Sequence, residues 1–281
     1  MSEGEPRSPE PFRERNGSAT VAQCGEIQKH IQHLLSDDFH VRAESTEQLE
    51  HYGKDAASAI VDTLFRKSAQ PHAVSSLTEA LEEIGKPSVT VLIHALDHVV
   101  EVRRPQHAYL LENLIDTLGR IGDRRAATPL ARQLRKLNDA IARNHHHVLV
   151  DICEATKVRI HCILAELDDR SGYRDLLRML GDGRRRVRDG VVQALEKVGD
   201  RRALVPLVRL YMIEDDVSLS GAAAIRRTIR EIFRRAKVDE NDGAFRELTP
   251  AERAMLSKVT PRSKRGDRVT PRSGPIAGSG R

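Results

Sequence analysis

The chain has 281 residues, enough for one large domain or two ordinary ones. Hydrophobic residues make up 39% and charged residues 31%, which is ordinary for helical proteins, whereas only 3% are aromatic and none is tryptophan, which is low for a β-sandwich or β-barrel. No run approaches 18 apolar residues and the amino terminus carries no apolar signal segment, so we expect a cytoplasmic protein that neither spans nor binds a membrane.

The cysteines and the charge distribution narrow the class further. Cys24, Cys153 and Cys162 cannot all pair and show no Cys-x-x-Cys spacing, which indicates a reducing compartment.

The charged residues are unevenly distributed along the chain. Residues 1–169 carry 20 basic and 26 acidic side chains, residues 170–237 carry 17 basic and 9 acidic, and residues 257–281 carry 7 basic and 1 acidic. This asymmetry around a net charge of +5 predicts a field that steers an acidic partner toward the carboxyl-terminal part.

The first predicted helix follows a polar amino-terminal segment. Residues 1–20 are rich in proline, serine, glycine and charge, so we predict a disordered tail. Residues 22–35 place Ile27, Ile31, Leu34 and Leu35 on one helical face. That helix is predicted to cap the start of the structure that follows.

A repeated phrase, Leu-x-x-(Ile/Val/Tyr)-Gly, then organises most of the chain. It occurs at residues 49–53, 81–85, 118–122 and 195–199, and residues 164–168 repeat it with Asp in place of Gly. Residues 122–130 match residues 199–207 at seven of nine positions. Each phrase predicts a first helix that ends at a left-handed residue, then a polar turn and a second helix.

Short helical hairpins of this kind must stack to bury their apolar faces. The sequence therefore predicts an all-α fold, an α-α superhelix of five to six hairpins. The predicted repeats cover residues 41–67, 71–100, 105–139, 145–181 and 187–214.

The end of the chain predicts a cap, a linker and a tail. Residues 218–237 place Ala222, Ile225, Ile229 and Phe233 at helical spacing, which indicates a capping helix. Residues 238–258 are predicted as a linker with a short helix that starts after Thr249. Residues 259–281 repeat Val-Thr-Pro-Arg-Ser and are predicted as a basic disordered tail.

These repeats resemble HEAT repeats, and more narrowly the type named after phycobilisome lyases. The resemblance rests on the Leu-x-x-Ile-Gly-Asp phrases and on an Asp followed by a Val-Arg pair, at Asp182 with Val187-Arg188 and at Asp38 with Val41-Arg42. Repeats two to four lack that pair. The resemblance implies that the Asp and Arg link successive repeats, that second helices line a concave partner-binding face, and that a chromophore lyase-like activity is one alternative.

The residues themselves indicate no catalytic, cofactor or metal site. The chain lacks the Gly-x-Ser-x-Gly, Gly-rich phosphate-loop and His-Glu-x-x-His patterns. Two groups of histidines are candidate metal ligands. The first is His94 and His98, beside Asp97 and not far from His107, and the second is the run at residues 145–147. A site with two histidines has too few ligands for stable zinc binding, and we apply the same argument to the run. We interpret these histidines as surface residues.

Binding is therefore the predicted function, in the form of a protein-protein interaction scaffold. The residues predicted to hold an acidic protein partner are Arg132, Arg135, Arg174, Arg178 and Arg209 of the second helices. The alternative is nucleic-acid binding by a basic patch that comprises Arg184, Arg185, Arg186, Arg188, Arg226, Arg227 and Arg230. The oligomeric state stays open.

Overall fold

The structure is a computed structural model that describes residues 20–68, 70–99, 105–143, 147–181, 185–215, 219–238 and 242–260. The side chains of residues 105–107, 185–188, 214, 215, 219, 220 and 244 also lie outside the description. The predicted tails, residues 1–19 and 261–281, fall outside these ranges.

The described residues are helical, and no strand occurs among them. The helices are α1 (Val21–His33), α2 (Phe39–Lys67), α3 (Pro71–Ile84), α4 (Val89–His98), α5 (Pro105–Ile121), α6 (Ala127–Arg143), α7 (His147–Glu166), α8 (Tyr173–Met179), α9 (Arg185–Val198), α10 (Leu204–Asp215), α11 (Leu219–Ala236) and α12 (Pro250–Val259). The outer ends of each pair of helices lie within four residues of the predicted hairpin boundaries. None of the helices in the described ranges has the length and apolar character needed to cross a membrane.

The helix α1 covers the beginning of the structure, as its pattern predicts. Thr20 and Gln23 form a reciprocal capping box, in which the Thr20 hydroxyl accepts from the Gln23 backbone N–H at 3.3 Å. Ile27, Ile31 and Leu34 are buried against α2. The apolar face of α1 thus closes the open side of the first hairpin.

Glycines with positive φ separate the two helices of the first three hairpins. Gly53 bends α2 into two halves with φ 50° and ψ −117°, and Gly85 (φ 69°) and Gly122 (φ 68°) end α3 and α5. Residues with a Cβ are strained at such angles. Asp168 fills the equivalent place after α7 with φ 59°.

Gly199 departs from this pattern, so the prediction of a left-handed residue is wrong at the fifth hairpin. It has no such positive φ, and an added Cβ would collide with the Leu195 carbonyl oxygen and would lie 2.7 Å from Ile232 Cδ1. The glycine is needed here because a Cβ would meet both the backbone of its own helix at Leu195 and the Ile232 side chain of α11.

The matching Asp-Arg-Arg-Ala turns are built alike. Asp123 and Asp200 each accept the backbone N–H of the second arginine at 2.9 Å, which starts the 3-10 turns Arg124–Ala126 and Arg201–Ala203. Arg125 Nη2 then donates to the Lys86 carbonyl at 3.1 Å, and the Arg202 guanidinium lies 4.7 Å from the Tyr173 ring centroid. Each second arginine therefore contacts the preceding hairpin.

The hairpins stack in two layers. Among first helices, α3 packs on α5, α5 on α7, α7 on α9 and α9 on α11. Among second helices, the second half of α2 is followed by α4 and α6, and at the far end α10 packs on α12. The hydrophobic core runs between the layers as two clusters that meet at α7.

The segment after α11 belongs to this stack, although the sequence suggested a linker. Phe245 is 1% exposed and stacks on Phe233 with ring centroids 5.6 Å apart. The predicted short helix α12 begins with a capping box between Thr249 and Glu252 and packs on α10 and α11. The pair α11 and α12 thus forms a sixth hairpin.

The Asp and Arg that carry the family resemblance act locally at the first repeat. Asp38 accepts the His40 backbone N–H at 2.8 Å and caps α2. Arg42 Nη1 donates to the carbonyls of Ser36 and Asp37 at 2.8 and 2.9 Å. Asp182 lies outside the described residues, as does the side chain of Arg188.

Candidate binding surfaces

The five arginines predicted to hold a partner all lie on second helices, but three of them are paired with carboxylates. Arg132 Nη1 of α6 is 2.9 Å from Asp97 Oδ2 of α4, and Arg209 Nε of α10 is 2.9 Å from Glu252 Oε1 of α12. Arg178 Nη2 is 2.8 Å from Asp175 Oδ1 on its own helix. Two of these pairs link neighbouring second helices, so their charge is compensated within the stack.

Arg135 and Arg174 differ from the other three. Both side chains are exposed, and among the described residues neither has an ion-pair partner. Their helices approach each other, since Leu134 Cδ1 of α6 lies 3.5 Å from the position of a Cβ added to Gly172, the residue that precedes α8. Two uncompensated cations therefore remain on the second-helix layer.

A groove of about 940 Å³ lies between α9 and α11, on the layer of first helices. We call it the α9–α11 groove. Its lining residues are Glu196, Lys197, Ala223, Arg226, Arg227, Arg230, Glu231, Arg234 and Arg235. Six cationic side chains face two carboxylates, which leaves an excess of four positive charges.

Two arginines of the groove are paired with its carboxylates. Arg227 Nε is 2.9 Å from Glu196 Oε1, and Arg234 Nη2 is 2.6 Å from Glu231 Oε1. The hydrogen bond from Arg234 lowers the pKa of the Glu231 carboxyl below its ordinary value. Both pairs are exposed to solvent, with side-chain exposures of 68% for Arg227 and 73% for Arg234.

Two further arginines bind backbone carbonyls. Arg235 donates to the carbonyls of Glu196, Lys197 and Gly199 at 3.0, 2.7 and 2.7 Å and so satisfies the carboxyl-terminal end of α9. Arg230 Nε donates to the Val259 carbonyl at 2.8 Å, at the end of α12. These bonds fix the positions of both guanidinium groups, while Arg230 keeps its full charge.

The structure brings together only part of the predicted basic patch. Arg226, Arg227 and Arg230 line the α9–α11 groove, Arg184 lies outside the described residues, and Arg185, Arg186 and Arg188 lie in the first turn of α9 with undescribed side chains. The predicted set missed Lys197, Arg234 and Arg235. The spacing of Arg226, Arg230 and Arg234 by four residues was the signal for part of that set.

A buried polar cluster joins α7 to the short helix α8. His161, 1% exposed, has its Nε2 3.1 Å from Asp175 Oδ2, and Lys157 Nζ lies 3.7 Å from the same oxygen and 3.4 Å from Glu154 Oε2. The hydrogen bond with His161 and the charge of Lys157 lower the pKa of Asp175 against the effect of its burial. His161 Nδ1 has no hydrogen-bond partner and would collide with a Cβ added to Gly172, so the cluster holds the start of α8 closely against α7.

The histidine and aromatic residues do not form a common site in the described parts. The rings of His94 and His98 stack edge to face at 4.7 Å, and Asp97 bonds to Arg132 and Lys136. No group of three or more metal-ligating side chains occurs among the described residues. The aromatic residues with at most 8% exposure are Phe65, Tyr173, Tyr211, Phe233 and Phe245, which belong to the core.

Comparison with known proteins adds no relative. No family model matches the chain, and no match is found among curated proteins.

Proposed function

We propose that the protein is a non-catalytic scaffold of HEAT-like hairpins that holds an acidic protein partner on its second-helix layer. The observation that carries the proposal is the pair of exposed arginines on neighbouring second helices, Arg135 and Arg174, which lack carboxylate partners in the described structure. Arginine is enriched among the residues that dominate the affinity of protein interfaces. A right-handed superhelix with its concave face on the second helices is part of the same proposal.

The other three arginines have a different role in this proposal. Arg132 and Arg209 link successive second helices, and Arg178 lies against Asp175. The exposed pair of Arg132 with Asp97 contributes only about 0–1 kcal/mol to folding. The pairs position the second-helix surface, while the uncompensated charges of Arg135 and Arg174 make the direct contacts with carboxylates of the partner.

The test is quantitative affinity capture from nuclease-treated lysate of the native host with three full-length baits. These are the wild-type protein, the double variant Arg135→Gln/Arg174→Gln, and the matched control Arg226→Gln/Arg234→Gln, which removes the same charge from the α9–α11 groove. We expect at least one protein that wild type and control retain equally and that the first variant retains about thirtyfold less, since the loss of two interface arginines at about 1 kcal/mol each costs about 2 kcal/mol. Equal retention of every protein by all three baits contradicts the proposal.

The lyase-like alternative remains an implication of the family resemblance. The nucleic-acid alternative has an observation of its own in the α9–α11 groove.

A further inference from the structure

The α9–α11 groove lies on a different surface from Arg135 and Arg174. Its cationic residues come from two adjacent first helices, whereas the proposed protein-binding arginines come from second helices. The scaffold function proposed above makes no use of the groove. Its excess of four positive charges therefore needs a separate explanation.

The groove keeps this charge because its cations are only partly neutralised. Arg226 and Lys197 have no ion-pair partner among the described residues, and Arg230 binds a neutral carbonyl. Arg235 is held by hydrogen bonds to three carbonyls, and its Nη1 makes only a long ion pair of 4.0 Å with Glu231 Oε1. Fixed guanidinium groups lose less side-chain entropy when they bind an anion, so the site is organised before binding.

The spacing of the cations matches a ligand with closely placed charges. Arg226, Arg230 and Arg234 follow one face of α11 in steps of about 6 Å and span about 12 Å. Each strand of double-stranded DNA carries one charge per about 3.4 Å of axis, so one strand offers roughly three or four phosphates over that length. Arginine forks bind phosphate oxygens with two parallel hydrogen bonds.

The lining also distinguishes between kinds of nucleic acid. No aromatic side chain is among the described residues that line the groove. Proteins that bind single strands stack bases on aromatic rings, whereas contacts to a duplex backbone need only cations and backbone donors. We propose that the α9–α11 groove binds the phosphate backbone of double-stranded DNA without sequence preference.

The chain after α12 starts at the edge of this groove. Arg230, a lining residue, donates to the carbonyl of Val259, the last residue of α12. Residues 261–281 carry six basic side chains and one acidic side chain. The sequence after residue 260 thus adds five net positive charges, which strengthen the long-range attraction of the protein for a polyanion.

The test is the salt dependence of binding to a mixed-sequence DNA duplex of about 30 base pairs, measured by fluorescence anisotropy between about 50 and 200 mM salt. Full-length wild type is compared with Arg226→Gln/Arg234→Gln. Neither side chain bonds to another helix among the described residues, so we expect unchanged circular dichroism and thermal unfolding. The matched control is Arg135→Gln/Arg174→Gln.

We expect the plot of log affinity against log salt to become shallower by about 1.8 in the groove variant, because each lost phosphate contact accounts for about 0.9. The control should keep the wild-type slope. A groove variant with the wild-type slope overturns the proposal, as does tighter binding to a single strand of the same length or to polyglutamate. Because each double variant serves as the control for the other, failure of the DNA site and failure of the protein-binding surface give different results.

Discussion

At the scale of single residues, the positions that matter most are those where a side chain or its absence decides how closely two helices approach. Gly199 is such a position, because the Leu195 carbonyl oxygen and the Ile232 side chain of α11 occupy the space of a Cβ. Asp175 is another, since its carboxylate pairs with His161, Lys157 and Arg178 at the junction of α7 and α8. Each leads to a stability prediction.

Replacement of Gly199 by alanine should destabilise the fold by about 1–3 kcal/mol, because the new methyl group meets the Leu195 carbonyl and Ile232. The matched control is Gly25→Ala in α1, where an added Cβ has no atom within 4 Å. That change should stabilise the helix by up to about 1 kcal/mol. Urea unfolding of both variants tests the pair, and equal effects would contradict the close approach of α11.

Replacement of Asp175 by asparagine should destabilise the protein at neutral pH by about 2–4 kcal/mol, because Lys157 and His161 lose a buried carboxylate. The pKa of Asp175 is lower in the folded chain than in the unfolded chain. Its stabilising effect is therefore present above the unfolded pKa of about 4 and is lost as the pH falls through the folded pKa.

The groups that face Asp175 are Lys157, His161 and Arg178, with Glu154 next to Lys157. The difference between wild type and Asp175→Asn should hence shrink in urea unfolding at about pH 3 relative to pH 7. Asp97→Asn, at an exposed pair, is the control and should cost about 1 kcal/mol or less. A difference that is equally large at both pH values would contradict the assigned role.

At the scale of elements, the short helix α12 and the turn before it complete the last hairpin. Phe245 is buried and stacks on Phe233, while Glu252 of α12 forms an ion pair with Arg209 of α10. A linker would tolerate changes at these positions, whereas a packed element would not.

Replacement of Phe245 by alanine should therefore cost about 3–4 kcal/mol of stability, as expected for the loss of a buried aromatic ring. Phe39→Ala is the matched control, because that ring is 68% exposed at the start of α2. Its replacement should change the free energy of unfolding by about 0.5 kcal/mol or less. Thermal unfolding distinguishes the two, and a neutral Phe245→Ala would show that the segment does not stabilise the stack.

The sequence predicted the helices well because their apolar periodicity is local. The phrase that ends each first helix also placed Gly53, Gly85 and Gly122 at positive φ. At Gly199 the same phrase failed, because the backbone there is not left-handed and the space for a Cβ is taken by the Leu195 carbonyl oxygen and by Ile232 of α11. The docking of α12 depends on Phe233 and Arg209 and has no local signal either.

The candidate sites show the same division. The sequence placed Arg132 and Arg209 on second helices, but their carboxylate partners are 35 and 43 residues away in the chain. Only the stacking of hairpins shows which arginines are compensated and which are not. Likewise, the α9–α11 groove combines residues of two helices that a pattern within one helix cannot join.

At the scale of the whole molecule, the stack separates two positively charged surfaces. Arg135 and Arg174 lie on second helices, and the α9–α11 groove lies between first helices near the carboxyl-terminal end. The two proposals together assign a protein partner to one layer and a DNA backbone to the other. Because each hairpin of the stack contacts mainly its neighbouring hairpins, each surface should keep its function when the other is altered.

The most direct test of the protein-binding claim is amide hydrogen exchange of the full chain, measured with and without its partner. The partner is the protein that wild type captures and that Arg135→Gln/Arg174→Gln captures poorly. We predict slower exchange in peptides from α6 and α8 when the partner is bound, because binding suppresses local opening of the contacted helices. Peptides from α9 and α11 should be unchanged. Protection confined to α9 and α11, with none in α6 and α8, would contradict the assignment of the partner to the second-helix layer.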